Sequence, residues 1–259
     1  MRFSLTLQTE QKYLPFNYQY PLSAAIYKII AKGDAAYAAF LHQEGYGKGF
    51  KYFTFSQLEV PFSIMDDRMY LNANEVIFQV AFHIPHAMES FVKGLFQSQT
   101  IEIADKKSKA QFFVKSIESL LDPLKSHQHN EIIQRAFTPL SPIVVGLPNE
   151  KGNYDFLDPM DSRFAESLIY NWRSKIKSCY DEETSVSAML MIDLVPMKHP
   201  PKSRLMTIKA DTNEMTRIRG WMNFGIQVTA EKRFIELLLN AGVGLYNAQG
   251  CGCVGVVNS

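Results

Sequence analysis

Hydrophobic residues in the first half of the chain follow strand-like and helix-like spacings in turn. Phe3, Leu5 and Leu7 alternate with polar residues over 2–8, which predicts a half-buried strand. Residues 21–32 instead place apolar side chains at helical spacing, with a proline suited to the first turn. The same patterns predict helices at 35–43 and 85–97 and strands at 51–58, 75–82, 100–104 and 111–117. The major elements therefore follow the order strand, helix, strand, strand, helix, strand.

The second half repeats this order after a polar, proline-containing stretch at 121–130 that is typical of a linker. The predicted elements there are a strand at 143–145, a helix at 161–178, strands at 189–195, 205–209 and 222–228, a helix at 231–239 and a last strand at 253–257. This order is that of ferredoxin-like units. We therefore predict an α+β fold of two tandem ferredoxin-like (RRM-like) domains with antiparallel sheets, spanning residues 1–126 and 127–259.

The composition is that of a soluble globular protein, with 46% hydrophobic and 20% charged residues. The 27 basic and 26 acidic residues give a formal net charge of +1, so a nucleic-acid-binding surface would have to be local. Three cysteines without framework spacing favour a reducing, cytoplasmic setting. Because there is no signal-peptide pattern and no apolar run of about 18 residues, a membrane location is not expected.

The glycine-rich segment near residue 250 is the most distinctive stretch of the chain. Gly242 and Gly244 follow the predicted helix at 231–239, and five residues separate them from Gly250 and Gly252. A glycine loop exposes backbone N–H groups and is a natural seat for a phosphate. The alternative is a glycine-rich turn that packs closely against a neighbouring element. The order helix, glycines, strand does not match a dinucleotide-binding fingerprint, in which the helix follows the glycines.

This glycine spacing resembles the signature of the RAMP superfamily, and within it the chain is similar to the CRISPR repeat-processing endoribonucleases. Further short matches follow in order at residues 1–3, 18–22, 26–27, 41–42, 53–56 and 138–144. The resemblance implies tandem ferredoxin-like domains and an enzyme that cuts precursor crRNA within each repeat. It also implies that no metal or other cofactor is needed, and that the products carry a 2′,3′-cyclic phosphate and a 5′-hydroxyl.

The resemblance further implies three catalytic residues, Tyr27, His42 and Lys51. Attack by a ribose 2′-hydroxyl needs a base for its proton, an acid for the leaving oxygen and a cation for the phosphate. Histidine titrates near neutral pH, tyrosine can donate or share a proton, and lysine supplies charge. Lys48 lies on the same glycine-rich link and is kept as an alternative to Lys51. Without the resemblance, His42 is a cation at a helix end and Tyr27 a rim residue of an amphipathic helix.

Two groups of basic residues in the second half are candidates for RNA contact. The segment 196–204 links two predicted strands and carries Lys198, Lys202 and Arg204. A basic hairpin tip of this kind can grip phosphates. The alternative is a solvated loop stiffened by prolines. The second group is expected near the glycine-rich segment and comprises Arg217, Arg219, Lys232 and Arg233. Residues 245–249 contain no lysine or arginine, where the resembled family often has them. Backbone amides are therefore the phosphate-binding candidate in that segment.

Three hypotheses of different classes remain open from the sequence. The leading one is an endoribonuclease that cuts CRISPR repeat RNA. The second is a non-catalytic RAMP subunit that holds crRNA in an effector complex, and the third is an unrelated ferredoxin-like small-molecule enzyme. His42 separates the first two, because a pure scaffold has no need of a histidine there. The expected partner is repeat RNA or crRNA rather than DNA; an effector complex and a homodimer are left open.

Overall fold

The computed structural model describes residues 1–150, 152–209 and 213–257. Its helices are α1 (Gln19–Gly33), α2 (Ala35–Gln43), α3 (Pro85–Gln97), α4 (Phe164–Cys179), α5 (Glu182–Ser187) and α6 (Lys232–Ala241). The strands of the first half are β1 (Arg2–Gln8), β2 (Tyr13–Pro15), β3 (Phe53–Phe55), β4 (Phe62–Met65), β5 (Arg68–Leu71), β6 (Glu75–Phe82), β7 (Thr100–Ala104) and β8 (Lys109–Ser119). Those of the second half are β9 (Ile132–Pro139), β10 (Gly146–Pro148), β11 (Tyr154–Phe156), β12 (Met191–Val195), β13 (Lys202–Ile208), β14 (Thr216–Met222), β15 (Gly225–Glu231) and β16 (Val254–Val256).

The first half forms an antiparallel sheet in the order β3-β6-β1-β8-β7. The alternating residues Phe3, Leu5 and Leu7 of β1 are buried in one core with the apolar side chains of α1 and α3. Strands β1, β3, β6 and β8 with the two helices give the ferredoxin-like unit predicted from the sequence, and β7 extends its edge. A separate small sheet, β2-β5-β4, was not predicted.

The second half contains the same unit, in an antiparallel sheet of order β12-β15-β9-β16. Helices α4 and α6 are the two helices of this unit, and their apolar side chains share its core. The prediction of two tandem ferredoxin-like domains with antiparallel sheets is therefore confirmed. An antiparallel hairpin, β13–β14, is inserted between β12 and β15. Among the described residues, no helix is long and apolar enough to span a membrane.

The opening strand of the second unit was predicted wrongly. It is β9, whereas the predicted strand at 143–145 forms only isolated bridges to Trp221 and Gly244. β9 was missed because Arg135 interrupts the apolar alternation between the buried Ile133 and Phe137. Strand β14 and the β10–β11 hairpin were also missed, and β15 lies about three residues beyond the strand predicted at 222–228.

The two units meet along β3 of the first sheet and the segment 242–252 that follows α6, which we call the glycine loop. Thr54 Oγ1 donates to the carbonyl oxygen of Cys251 at 2.9 Å. Tyr52, just before β3, is buried in the core of the second unit, and its hydroxyl donates to the carbonyl oxygen of Lys175 at 2.9 Å. The joint between the units therefore lies beside the predicted catalytic residues, which flank β3 and the neighbouring face of α1.

Candidate active site

Tyr27 projects from the edge of the apolar face of α1. The buried face of this helix is formed by Leu22, Ala25, Ile26, Ile29 and Ile30. Tyr27 is half-buried, and its ring meets those of Phe53 and His42 edge to face, with centroids 5.4 Å and 5.2 Å away. Burial raises the pKa of Tyr27 above its ordinary value, so the phenol stays protonated at neutral pH. Its hydroxyl is therefore suited to donate a hydrogen bond.

His42 lies in the last turn of α2, a helix that begins where Asp34 caps it. The Asp34 side chain accepts from the backbone N–H of Tyr37 at 2.9 Å. The His42 side chain is exposed, while its carbonyl oxygen accepts from Lys51 Nζ at 3.1 Å. Partial burial lowers the pKa of Lys51. Tyr27, His42 and Lys51 thus lie together, and we call them the candidate catalytic cluster.

The link between α2 and β3 explains why Lys51, rather than Lys48, belongs to this cluster. Tyr46 and Phe50 pair across a tight turn, which returns the chain to the end of α2. Gly45 closes this turn at φ +70°, where a Cβ would lie 2.6 Å from the Phe50 carbonyl oxygen. Lys48 instead extends toward the second domain, with Nζ 5.9 Å from the centre of the Tyr170 ring.

The glycines of the glycine loop are buried rather than presented to solvent. Gly242, Gly244, Gly250 and Gly252 all have buried backbones. The N–H groups of Gly242, Gly250 and Gly252 donate to the carbonyl oxygens of Leu238, Asn247 and Pro142. A Cβ on Gly252 would lie 1.9 Å from the Val243 carbonyl oxygen. These glycines therefore have a packing role here, and their contact with phosphate remains a prediction.

Lys175 of α4 organises this loop and was not identified from the sequence. It is buried, and its Nζ donates to the carbonyl oxygens of Gly242 at 2.6 Å and Gly244 at 3.1 Å, and to Asn247 Oδ1 at 2.7 Å. Burial lowers the pKa of Lys175 to about 7, while the three oxygen acceptors favour its charged form. The available signal was a lysine within the apolar stripe of the helix, three residues after Trp172.

The glycine loop touches the same face of α1 that carries Tyr27. Ser23 lies one helical turn before Tyr27, and its hydroxyl donates to the carbonyl oxygen of Ala248 at 2.6 Å. A cavity of about 210 Å³ separates the loop from the link between α2 and β3. Its walls include Lys51, Phe53, Lys175, Tyr246 and Gln249. The candidate catalytic cluster therefore adjoins a small cleft that the glycine loop closes on one side.

The members of the first predicted RNA-binding group differ in exposure: two lysines face solvent and the arginine is packed against the first domain. Lys198 and Lys202 are exposed at the entry to the β13–β14 hairpin. Arg204 instead packs its guanidinium on the rings of Phe16 and Tyr18, 5.2 Å and 5.5 Å from their centres, and donates to the Phe16 carbonyl oxygen at 3.2 Å. Arg204 therefore connects the hairpin to the first domain.

The second predicted basic group is not brought together. Arg217 and Arg219 are exposed on β14, along one face of the hairpin. Lys232 and Arg233 begin α6, whereas the glycine loop follows its last residue, roughly 15 Å away along a ten-residue helix. Arg233 Nε pairs with Glu231 at 2.8 Å, and its guanidinium lies over the Phe234 ring. Among the described residues, no three His, Cys, Asp or Glu side chains cluster closely enough to hold a metal ion.

Comparisons with protein families match the chain in two successive parts. The family described as "CRISPR-associated protein Cas6, N-terminal" matches residues 13–118, and "CRISPR associated protein Cas6, C-terminal" matches residues 124–256. The CRISPR-associated endoribonuclease Cas6 1 of Methanocaldococcus jannaschii is 29% identical over 98% of this chain and 92% of its own length. The CRISPR-associated endoribonuclease Cas6 of Pyrococcus furiosus is 27% identical over 71% of this chain and 66% of its own length.

Solved structures share the fold over the whole chain. One, described as a Cas6-related gene from Pyrococcus furiosus, has a TM-score of 0.80 at 20% identity and covers 100% of this chain and 98% of its own. Another, described as an RAMP protein binding different RNA substrates, has a TM-score of 0.77 at 18% identity with both chains fully covered. At these identities the likeness concerns the fold.

Proposed function

Since the chain belongs to the Cas6 family of CRISPR-associated proteins, we propose that it is an endoribonuclease that cuts CRISPR precursor RNA within the repeats. The observation that carries this proposal is the contact between residues from three separate elements. The Tyr27 ring on α1 packs against that of His42 on α2, and Lys51 before β3 donates to the His42 carbonyl oxygen. Lys51 also lines the cleft beside the glycine loop. A base, a proton donor and a cation in one accessible place are what RNA transesterification needs.

We propose that the reaction proceeds without a metal ion, by attack of a ribose 2′-hydroxyl on the adjacent phosphorus. His42 takes the 2′-hydroxyl proton as the 2′-oxygen forms its bond to phosphorus, since an imidazole nitrogen with a free lone pair accepts a proton. The bond from phosphorus to the 5′-oxygen then breaks, and that oxygen takes up a proton. The products carry a 2′,3′-cyclic phosphate and a 5′-hydroxyl.

Tyr27 and Lys51 support the charged atoms of this step. Because burial keeps the Tyr27 phenol protonated, Tyr27 serves as a donor toward the leaving oxygen or a phosphate oxygen. The Lys51 ammonium sits against the His42 carbonyl oxygen and supplies positive charge beside the phosphate. The tight turn between α2 and β3 returns this lysine to the last turn of α2, which carries His42.

Incubation of the purified protein with the CRISPR repeat RNA of the same genome, in EDTA, tests the proposal. We expect cleavage at one position, with a cyclic phosphate on the upstream fragment. A strict need for Mg²⁺ or a 3′-hydroxyl product would refute the mechanism. Tight binding without cleavage would instead favour the non-catalytic crRNA-binding subunit of an effector complex, and no binding would refute both.

A further inference from the structure

A second, larger cavity lies next to the candidate catalytic cluster, and neither the catalytic chemistry nor the glycine signature uses it. It occupies about 750 Å³ between α4 and the β10–β11 hairpin, and we call it the α4 pocket. Its volume is in the range of sites that hold small organic groups. The α4 pocket and the small cleft beside Lys51 share four wall residues: Phe50, Asn171, Gly244 and Leu245. A chain that passes the catalytic cluster can therefore continue into the α4 pocket without leaving the protein surface.

Two tyrosines give the α4 pocket flat apolar surfaces. Tyr170 is 68% exposed, although it is a large aromatic residue of a helix whose opposite face is buried. Tyr154 on β11 is partly exposed, and its ring meets Tyr246 of the glycine loop edge to face at 6.4 Å. Aromatic side chains that are ordered yet open to solvent are the usual stacking platforms for unpaired bases.

Polar and charged groups in the α4 pocket suit the rest of a nucleotide. Asn171 Oδ1 is buried and has no hydrogen-bond partner among the described residues, which leaves an acceptor for a donor on a base or ribose. Lys48 Nζ lies over the Tyr170 ring at the end nearest the catalytic cluster. At the far end, Arg163 pairs with Asp161, and Glu166 adds one negative charge to the wall. Among the described residues of the wall, Lys48 is therefore the cation without a carboxylate partner, and it lies where the backbone of a bound strand would enter.

From these observations we propose that the α4 pocket is a subsite for one unpaired nucleotide that flanks the cleavage position, with its base stacked on Tyr170 or Tyr154. This inference rests on the proposed nuclease function, because the RNA path is taken from the catalytic cluster. The volume of about 750 Å³ is on the scale of a single nucleotide and not of an RNA duplex. Stacking accepts any base, whereas the Asn171 Oδ1 acceptor favours a base that turns a donor toward it.

The test uses the repeat RNA with a 2′-deoxy nucleotide at the cleavage position, which removes the attacking hydroxyl and keeps the strand intact. 2-Aminopurine, whose fluorescence falls when it stacks, replaces one base at a time on both sides of that position. We expect the parent protein to quench one position within a few nucleotides of the cleavage site. Tyr170→Ala and Tyr154→Ala should lessen this quenching, and the more strongly stacked of the two should weaken binding about tenfold.

Two further variants make the result specific. Tyr170→Phe keeps the ring and should retain the quenching. Tyr13→Ala removes another exposed tyrosine, from β2 of the small sheet in the first domain, and should leave both quenching and affinity unchanged. Thermal unfolding of each variant verifies that it is folded; because both substituted side chains are partly exposed, truncation leaves no buried cavity.

The outcomes separate this inference from the proposed function. If the parent cleaves unmodified repeat RNA but no position is quenched, or quenching survives both alanine substitutions, the subsite is refuted and the nuclease assignment stands. If the parent quenches one position in a tyrosine-dependent way but does not cleave unmodified RNA, the nuclease assignment is refuted. The α4 pocket then stands as a base-stacking site, but not as one that flanks a cleavage position. If the parent does not bind repeat RNA, both are refuted.

Discussion

The candidate catalytic cluster and the glycine loop lie side by side, yet they differ in how their polar groups are used. In the cluster, the His42 side chain is exposed and the Tyr27 side chain is half-buried. In the glycine loop, the amides of Gly242, Gly250 and Gly252 donate to backbone carbonyl oxygens. Lys175 Nζ donates to two carbonyl oxygens of the same loop. Groups that act on a substrate must be accessible, whereas groups that hold a backbone in place are already engaged.

This difference changes what the glycine signature means for function. The signature was interpreted as a row of free amides for a phosphate, with close packing as the alternative. Its glycines allow the chain to pass within contact distance of β3, as Gly250 does against the Phe55 ring, where a Cβ would lie 2.5 Å away. The glycines therefore hold the glycine loop against β3, and contact of the loop with RNA remains a prediction.

The largest expected effect is that of His42→Ala. Removal of a positioned base costs about 10²–10⁴ in rate, so single-turnover cleavage at saturating protein should fall by that factor. RNA affinity should change little, because phosphate contacts elsewhere supply most of it. The matched control is His129→Ala, an exposed histidine in the segment between the two sheets. Cleavage by His42→Ala at the parental rate would show that His42 is only a helix-end residue.

Gly252→Ala tests whether the glycine loop is tightly packed. The residue has φ +70°, and its new Cβ would meet the Val243 carbonyl oxygen, so the free energy of unfolding should fall by roughly 2–4 kcal/mol. Gly152→Ala is the control: Gly152 has φ +74°, an added Cβ would meet no atom of the described residues within 4 Å, and the substitution should cost about 1 kcal/mol. Denaturant unfolding measures both variants. Equal losses would mean that the glycine loop is not tightly packed.

Lys175→Met tests whether the glycine loop supports catalysis. The substitution loosens the loop and leaves the residues of the candidate catalytic cluster unchanged. The thioether keeps the length of the side chain but donates no hydrogen bond, and we expect cleavage to slow about tenfold while RNA affinity changes less. Lys177→Met, on the exposed side of the same helix, is the control and should cleave at the parental rate. Cleavage by Lys175→Met at the parental rate would show that the position of the glycine loop does not affect catalysis.

The same lysine predicts a pH dependence of stability. Its pKa is about 7 in the folded protein against an ordinary value of 10.5, so the unfolded chain binds more protons between these values. The contribution of Lys175 to the free energy of unfolding should therefore rise with pH from about 7 to 10.5. Denaturant unfolding at several pH values should show the parent gaining stability relative to Lys175→Met across this window. A constant difference between the two proteins would contradict it.

The smallest effect is expected for Lys198→Ala combined with Lys202→Ala. Both side chains are exposed, so their removal should weaken RNA binding several-fold and lower the salt slope by roughly 1–2, with stability unchanged. Arg204→Ala should do the opposite and lower stability, because it loses its contacts with Phe16 and Tyr18. Lys93→Ala, on the exposed side of α3, is the control for lost charge. Equal salt slopes in the double variant and the parent would show that these two lysines do not contact RNA.

Local periodicity was enough to predict most helices and strands. The bounds predicted for β1, β6, β7 and α3 agree with the structure, because each carries its own pattern of apolar residues and its own terminating residues. The same holds for the order of elements, which led to the tandem fold. The cluster of Tyr27, His42 and Lys51 was also expected, through the family resemblance, and the structure brings the three together.

Only the tertiary structure decided which polar groups are accessible. Lys175 and Gly242 are 67 residues apart, and Arg204 and Phe16 are 188 residues apart, so no local pattern reports that these charges are already engaged. β9 was missed for a related reason. Arg135 lies at a position where strict alternation would place an apolar residue. Burial and hydrogen-bond pairing are set by neighbours that come from distant parts of the chain. A sequence pattern identifies the residue type available for chemistry, while the fold determines whether that residue is free to perform it.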